Sequence, residues 1–331
     1  MSVFKDSKGE ISLKSYTAGP NDVGVRLSRF VEKVTTGLPS SLMHKAFRNK
    51  RIKINGKRAA PDARLQQGDL IELYLNDEFF AACPPAPQKR HRPAARLHVL
   101  YEDTQIALLH KPVHLLCHSD RTGDANLVDL FVDGLQEKGE YTPAGGSPFR
   151  PSICNRLDRG TEGIVLAAKT YTALRDGTAL VRDGLLQKQY LCVARGTPPQ
   201  GIHTAYLLKN ETKNRVKVFR KPAEGRQKII TGVIVLQTKG QLSLCKVTLY
   251  TGRTHQIRAH LAFLGSPILG DLKYGDIELN SNYPAVRGQL LCAYHLGFAI
   301  EIPPENTLHY LAGKQFELEH CEVRHFFETL P

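Results

Sequence analysis

The chain has 331 residues, 41% of them apolar and 23% charged, which excludes global disorder, a collagen-like repeat and a coiled-coil rod and leaves room for about two domains. Lysine and arginine total 45 against 32 acidic residues, a formal charge of +13 that favours polyanionic partners, nucleic acid first among them. Of the seven cysteines, the nearest pair, Cys292 and Cys321, stand 29 residues apart, so neither a disulfide framework nor a zinc finger is expected, and reduced, mostly buried thiols fit better.

In chain order, the opening MSVFKDSKGEISLK surrounds very little apolar sequence with charge, unlike a secretory signal, and IALL at 106–109 and GIVLAA at 163–168 are far too short to span a bilayer. A cytoplasmic protein with no membrane partner is expected. Residues 21–75 read as a small α/β unit. Val25, Leu27, Phe30, Val31 and Val34 keep helical spacing, and Ser40 or Ser41 is placed to cap a second helix, SSLMHKAFRNK. A short strand, IKING, follows with Asn55-Gly56 as a tight-turn signal, and then an alternating strand within LQQGDLIELYL. Between Lys45 and Arg64 stand eight basic residues and one acid, Asp62. RLSRF at 26–30, FRNKRIKINGK at 47–57 and GDLIEL at 68–73 resemble the small RNA-binding module named after ribosomal protein S-four. The resemblance implies an RNA-binding domain over 1–80 that presents Arg48, Lys50, Arg51 and Lys53 to RNA. A basic fold of this size with no RNA role is the plainer alternative. FAACPPAPQKRHRPAAR, with four prolines and four Lys or Arg, then reads as a semi-rigid linker over 81–96.

From Leu97 the pattern changes to short strands with turns: LHVLYEDTQIALLHKP, GIVLAAKT, KQYLCVARG, a hairpin turning at Lys239-Gly240, and LLCAYHLGFAIEIP. The clearer helices are TYTALRDGTALVRDG and THQIRAHLAFLG. Residues 97–331 therefore read as an α+β domain on a mixed, largely antiparallel sheet with flanking helices.

No GxGxxG after a strand, GxxxxGK[ST] loop or HExxH occurs, so no cofactor and no metal is demanded. Two clusters carry candidate chemistry. In PSICNRLDRGTEGIVLAAKT at 151–170, Asp158 sits between Arg156 and Arg159 ahead of an apolar strand; neighbouring guanidinium groups favour the charged carboxylate, which suits a nucleophile or base, while a turn-closing Asp is the plainer reading. In TGRTHQIRAHLAFLG at 251–265, Thr254 is placed to cap a helix that carries His255 and Arg258 on one face and Ile257, Leu261 and Leu264 on an apolar stripe. That helix start is suited to pair with a carboxylate or to hold a phosphate. A hydrolase built on Ser119 or Ser152 has no supporting elbow motif.

RLDRGTEGIVLAAK, followed about a hundred residues later by TGRTHQIRAHLAFLGSPILGDLKYG, resembles the RluA family of RNA pseudouridine synthases. LYEDTQIALLHKP, KQYLCVARG and LLCAYHLGF agree with it in order, and many members carry an S-four-like module in front. The resemblance implies isomerisation of uridine to pseudouridine in structured RNA, ribosomal RNA first and transfer RNA open, with no cofactor and by a protein expected to be a monomer. Asp158 would attack the anomeric carbon, add to the uracil ring or remove a ribose proton. Tyr190 would stack near the uracil and shuttle the proton leaving the ring carbon, Arg258 would pair with Asp158, and Ile257 would wall the pocket. Arg156 would stabilise or replace the flipped nucleotide, and Arg253 and His255 would contact phosphate or serve local architecture. The chain departs from the family's common HRLDxxTSG at Asn155, Gly160 and Glu162, and Glu162 is expected to turn towards an Arg or Lys. Cys117 stands where an aliphatic residue is the commoner choice. A binding protein or RNA chaperone that keeps the fold without the chemistry is the competing reading.

Overall fold

The structure, a computed structural model, describes residues 11–80, 97–120, 123–142, 149–210 and 214–331. The linker expected at 81–96 lies outside those residues. Two compact units are present: Met1–Arg96 with Val132–Pro151 and Thr170–Thr172, and Leu97–Phe131 with Ser152–Lys169 and Ala173–Pro331.

The first unit begins with β1 (Ile11–Thr17), continues through α1 (Leu27–Val34), α2 (Ser40–Arg48), β2 (Ile52–Ile54), β3 (Lys57–Arg58) and β4 (Leu70–Asn76), and orders its strands β1-β4-β2-β3. Helical spacing puts Leu27, Phe30 and Val31 of α1 and Met43, Ala46 and Phe47 of α2 on one core with Ile52, Ile71 and Leu73. Asn55 (φ 51°) and Gly56 (φ 74°) both take left-handed backbone, as the two-residue turn between β2 and β3 requires. The serine cap is not found: Pro39 occupies the cap position of α2 with φ −63°, already near a helical value, and no side chain caps the helix. Strand β1 has no clear signature in the sequence, because ISLKSYT mixes polar and apolar residues and none of them is fully buried.

The chain continues through β5 (His98–Glu102), β6 (Ile106–Lys111), α3 (Leu127–Glu137), β7 (Ser152–Ile153), β8 (Glu162–Ala168), α4 (Tyr171–Arg182), β9 (Leu186–Arg195), β10 (Gly201–Asn210), β11 (Arg215–Phe219), β12 (Gln227–Lys239) and β13 (Leu242–Leu249). It closes with α5 (Gln256–Phe263), α6 (Ile277–Ser281), β14 (Leu291–Phe298), β15 (Gln315–Glu317) and α7 (Glu322–Thr329). The strands of the second unit form one sheet in the order β11-β10-β12-β13-β9-β14-β8-β6-β5, with β15 on β14 and β7 on β8. Every pairing between the named strands is antiparallel except β8 with β14, so the sheet is mixed and largely antiparallel. β8 is buried along its whole length, which explains why GIVLAA shows no alternation. Leu108, Leu166, Val193, Leu296, Phe298 and Phe327 belong to one core that makes the sheet centre a rigid platform. Among the described residues no helix is long and apolar enough to cross a membrane.

The parallel junction depends on one glycine. Gly163 has φ 138°, and a Cβ there would lie 2.5 Å from the Ala293 carbonyl oxygen on β14. Gly163→Ala is expected to destabilise the protein by about 3 kcal/mol or more, through backbone strain and the clash together. Thermal unfolding checks it, and an unchanged Tm contradicts the account.

Candidate active site

Asp158 lies in the turn that joins β7 to β8. The turn is closed by the Thr161 N–H donating to the Asp158 carbonyl (3.0 Å), and Asn155 Oδ1 accepts the Leu166 N–H (2.8 Å). It is also fastened to the segment after β6. The Cys117 thiol donates to the Leu157 carbonyl and accepts the Leu157 N–H, at 3.4 and 3.3 Å. The fully buried Lys111 ammonium donates to the carbonyls of Pro112 (2.8 Å), Leu115 (2.8 Å) and Arg159 (3.2 Å). Burial pulls Lys111 down to about 8, against the charges of Asp158 and Glu162.

α5 supplies the partner of Asp158. Arg258 Nη1 donates to Asp158 Oδ2 (2.9 Å), while Nε and Nη2 donate to Asp271 Oδ2 (2.7 Å) and Oδ1 (2.8 Å). Asp271 is in turn fixed by the backbone N–H groups of Lys273 and Tyr274 on Oδ1. Burial opposes the charge on Arg258, but hydrogen bonds and attraction from Asp271 and then Asp158 hold it above its ordinary value. Burial likewise opposes the charge on Asp271, and Arg258 with the two N–H groups holds the carboxyl below the usual range. Among the described residues no donor reaches Asp158 Oδ1, so one oxygen is pinned and the other faces open space.

That space is a cleft of about 1010 Å³, lined by Asp158, Arg258, Tyr190, Ile257, Arg156, Arg253 and His255 among others. Eight lysine or arginine side chains line it against two acids, Asp120 and Asp158, so its field favours an anion. Tyr190 comes from the buried part of β9 and Ile257 from the first turn of α5, while Arg156 and Arg253 are exposed at the rim. Arg48, Lys50, Arg51 and Lys53 belong to the other unit: Arg48 and Lys50 are exposed, Arg51 is half-buried, and Lys53 lies 4.9 Å over the Tyr74 ring.

Several expectations are corrected. The chain neighbours of Asp158 do not hold it: Arg159 donates instead to Asp124 (3.0 Å) and the His114 carbonyl (3.2 Å), and Arg156 points into solvent. Thr254 does not cap α5; His255 occupies that position in left-handed backbone, φ 52°. Glu162 turns to neither Arg nor Lys but to His110 Nε2 (2.9 Å) and the Glu322 N–H (2.9 Å). Glu162, Cys292 and Cys321 bring three buried donor atoms within 4.8 Å of one another, but none lines the cleft. Burial, reinforced by the Asp158 charge, pushes the Tyr190 phenol above its ordinary value, the wrong direction for a base. Asp271, Tyr274, Lys111 and Cys117 were given no role from sequence; GDLKYG contains the first two, and only folding shows what they touch.

A family profile described as RNA pseudouridylate synthase matches residues 105–263, which include Asp158, Tyr190 and Arg258. The chain is similar to ribosomal large subunit pseudouridine synthase C of Haemophilus influenzae, 30% identical over 317 residues that cover 93% of this chain and 94% of the relative. It is equally similar to the protein of that name from Escherichia coli, 30% identical over 279 residues, covering 81% and 82%. The solved structure of human RNA Pseudouridylate Synthase Domain Containing 4 shares the fold with a TM-score of 0.54 at 20% identity, covering 70% of this chain and 91% of its own.

Because Asp271 is held below its unfolded range, the stability it contributes is present above the unfolded pKa and is lost as pH falls through the folded one. Asp271→Asn is expected to lower the Tm at pH 7 by on the order of 10 °C, since it breaks a buried pair worth about 3–5 kcal/mol. The gap between variant and wild type should narrow as pH falls through the folded pKa of Asp271, below the ordinary carboxylate range, in thermal scans across pH.

Proposed function

From the premise that this chain belongs to the RluA-type family of RNA pseudouridylate synthases, we propose that it isomerises selected uridines of ribosomal RNA, with Asp158 as the reacting group. Isomerisation breaks the C1′–N1 bond, forms C1′–C5, and exchanges a proton at C5 for one at N1, so atoms and electrons balance without an external carrier. The observation that carries the reading is the carboxylate of Asp158 in a basic cleft, with Oδ2 held by a buried arginine and Oδ1 left without a donor.

Each remaining side chain then takes a limited task. A stacked uridine cannot reach a carboxylate set in a cleft, so it must be flipped out at a cost of a few kcal/mol. Arg156, exposed at the rim, is available to fill the vacated place, and Ile257 offers an apolar wall to the base. Tyr190 keeps its proton and serves as a neutral stacking and hydrogen-bonding surface; it moves a proton only by giving its own as it accepts another. Arg253 and other rim bases neutralise backbone phosphate. The ribosomal assignment rests on what the two bacterial relatives are named for. The basic α2 and the β2–β3 turn of the first unit extend the grip on RNA, acting as a separate module in a cytoplasmic monomer.

Asp158→Ala is expected to cut the single-turnover rate on unmodified ribosomal RNA by about a thousandfold or more while leaving RNA affinity within about threefold. Undiminished pseudouridine formation overturns the role of Asp158, and a wild type that binds RNA without modifying it favours the chaperone reading. Joint charge reversal at Arg48, Lys50 and Arg51 is expected to weaken RNA binding by about ten- to a hundredfold at low salt and to flatten the salt dependence by about two to three phosphate equivalents. The rate at saturating RNA should hold, and an unchanged salt slope argues against a role for this face.

A further inference from the structure

His255 is the cleft residue whose place in the hydrogen-bond pattern is most unusual. Its side chain is almost fully buried, its backbone is left-handed, and its two ring nitrogens look in different directions. Nδ1 lies 2.9 Å from the Tyr274 hydroxyl, and Nε2 lies 3.9 Å from Asp158 Oδ2. The Tyr274 hydroxyl oxygen also accepts the Val216 N–H at 2.8 Å.

Burial pulls His255 below its ordinary value, with the opposing charges of Asp158 and Asp271 and the reinforcing charges of Arg258 and Lys273 around it, which favours the neutral ring. A neutral imidazole donates from one nitrogen and accepts at the other. If Nδ1 carried the proton, the hydroxyl oxygen of Tyr274 would accept twice, its own proton would have no partner here, and the Nε2 lone pair would face an anionic carboxylate. With the proton on Nε2, Tyr274 O–H donates to Nδ1, the Val216 N–H donates to Tyr274, and an N–H faces Asp158. The Tyr274 hydroxyl and Nδ1 are then both satisfied, and the electrostatics towards Asp158 change from repulsive to attractive.

Resting on the reading that Asp158 is the reacting group, we propose that His255 is a positioning residue held in its Nε2–H tautomer by Tyr274, supplying with Arg258 a second N–H to Oδ2 so that Oδ1 alone is free to react. At 3.9 Å the contact is too long for a hydrogen bond, and closure by less than 1 Å, on the order of a side-chain shift, brings it into range when RNA fills the cleft. Arg258 carries the charge that balances the carboxylate; His255 settles which oxygen is left open.

Two substitutions separate this from a structural role, because backbone fit and N–H reach predict opposite orders. Asn tolerates left-handed backbone better than Gln, so a residue needed only for the backbone should be replaced better by Asn. Gln can bring an amide N–H to the place of Nε2, whereas the Asn amide stops near Nδ1. The expected single-turnover rate at saturating ribosomal RNA is reduced about tenfold or more in His255→Asn and about threefold or less in His255→Gln, with RNA affinity unchanged in both. In the full chain labelled with ¹⁵N-histidine, the resonance pair missing from His255→Asn should show a protonated Nε2 and an unprotonated Nδ1 near neutral pH. An Asn variant as fast as or faster than the Gln variant, or a resonance pattern with the proton on Nδ1 or on both nitrogens, overturns the proposal. Asp158→Ala, measured alongside, reads the parent assignment separately: if it stays active, the reacting group is wrong whatever the histidine resonances show.

Discussion

The second unit depends on one buried guanidinium that answers to two carboxylates. Arg258 places three N–H donors on Asp271 and Asp158; Arg258 and Asp271 are buried, while Asp158 stands at the cleft with 28% of its side chain exposed. Removing Arg258 leaves two carboxylates without a counter-charge, one of them fully buried, which costs far more than breaking an exposed ion pair of the same length would. A lysine would keep the charge but could not fork between two acids in fixed directions. The same requirement explains why α5, whose residues Gln256–Leu261 are all buried, is held on every side: the direction of the fork is only as reliable as the helix that carries it.

Behind Asp158 stands a second layer of side chains that fastens its turn. Lys111 ties three backbone carbonyls together and Cys117 clamps both polar groups of Leu157, the residue immediately before Asp158. A turn usually drifts more than a strand, yet this one is latched from both ends, so Asp158 sits on loop backbone with the precision of a sheet position.

Sequence reading recovers what local patterning encodes. The spacing of Leu27, Phe30 and Val31 yields α1, Asn55-Gly56 yields the β2–β3 turn, and the unbroken GIVLAA run yields the strand buried at the sheet centre. Asp158 and Arg258 stand 100 residues apart, and only the family resemblance suggested that they meet. The failures share a cause. Residues next to Asp158 in sequence splay apart around a turn, so Arg156 and Arg159 were poor guides to its electrostatics. Asp271 and Tyr274 act through partners that spacing alone cannot supply, and the direction of the Tyr190 shift needed its burial. β1 and α7 are short and amphipathic in ways that become decisive only once a core exists to receive them.

The one parallel strand pairing among the described residues has a kinetic corollary. Cys292 and Ala293 of β14 lie beside Glu162 and Gly163 of β8, so the strand that begins after the Asp158 turn waits for a partner made 130 residues later, the separation of Glu162 and Cys292. Loop-closure entropy makes such distant pairings slow to form. During synthesis, therefore, β8 can pair early with β6 and β7, but its pairing with β14 waits until the chain is nearly complete.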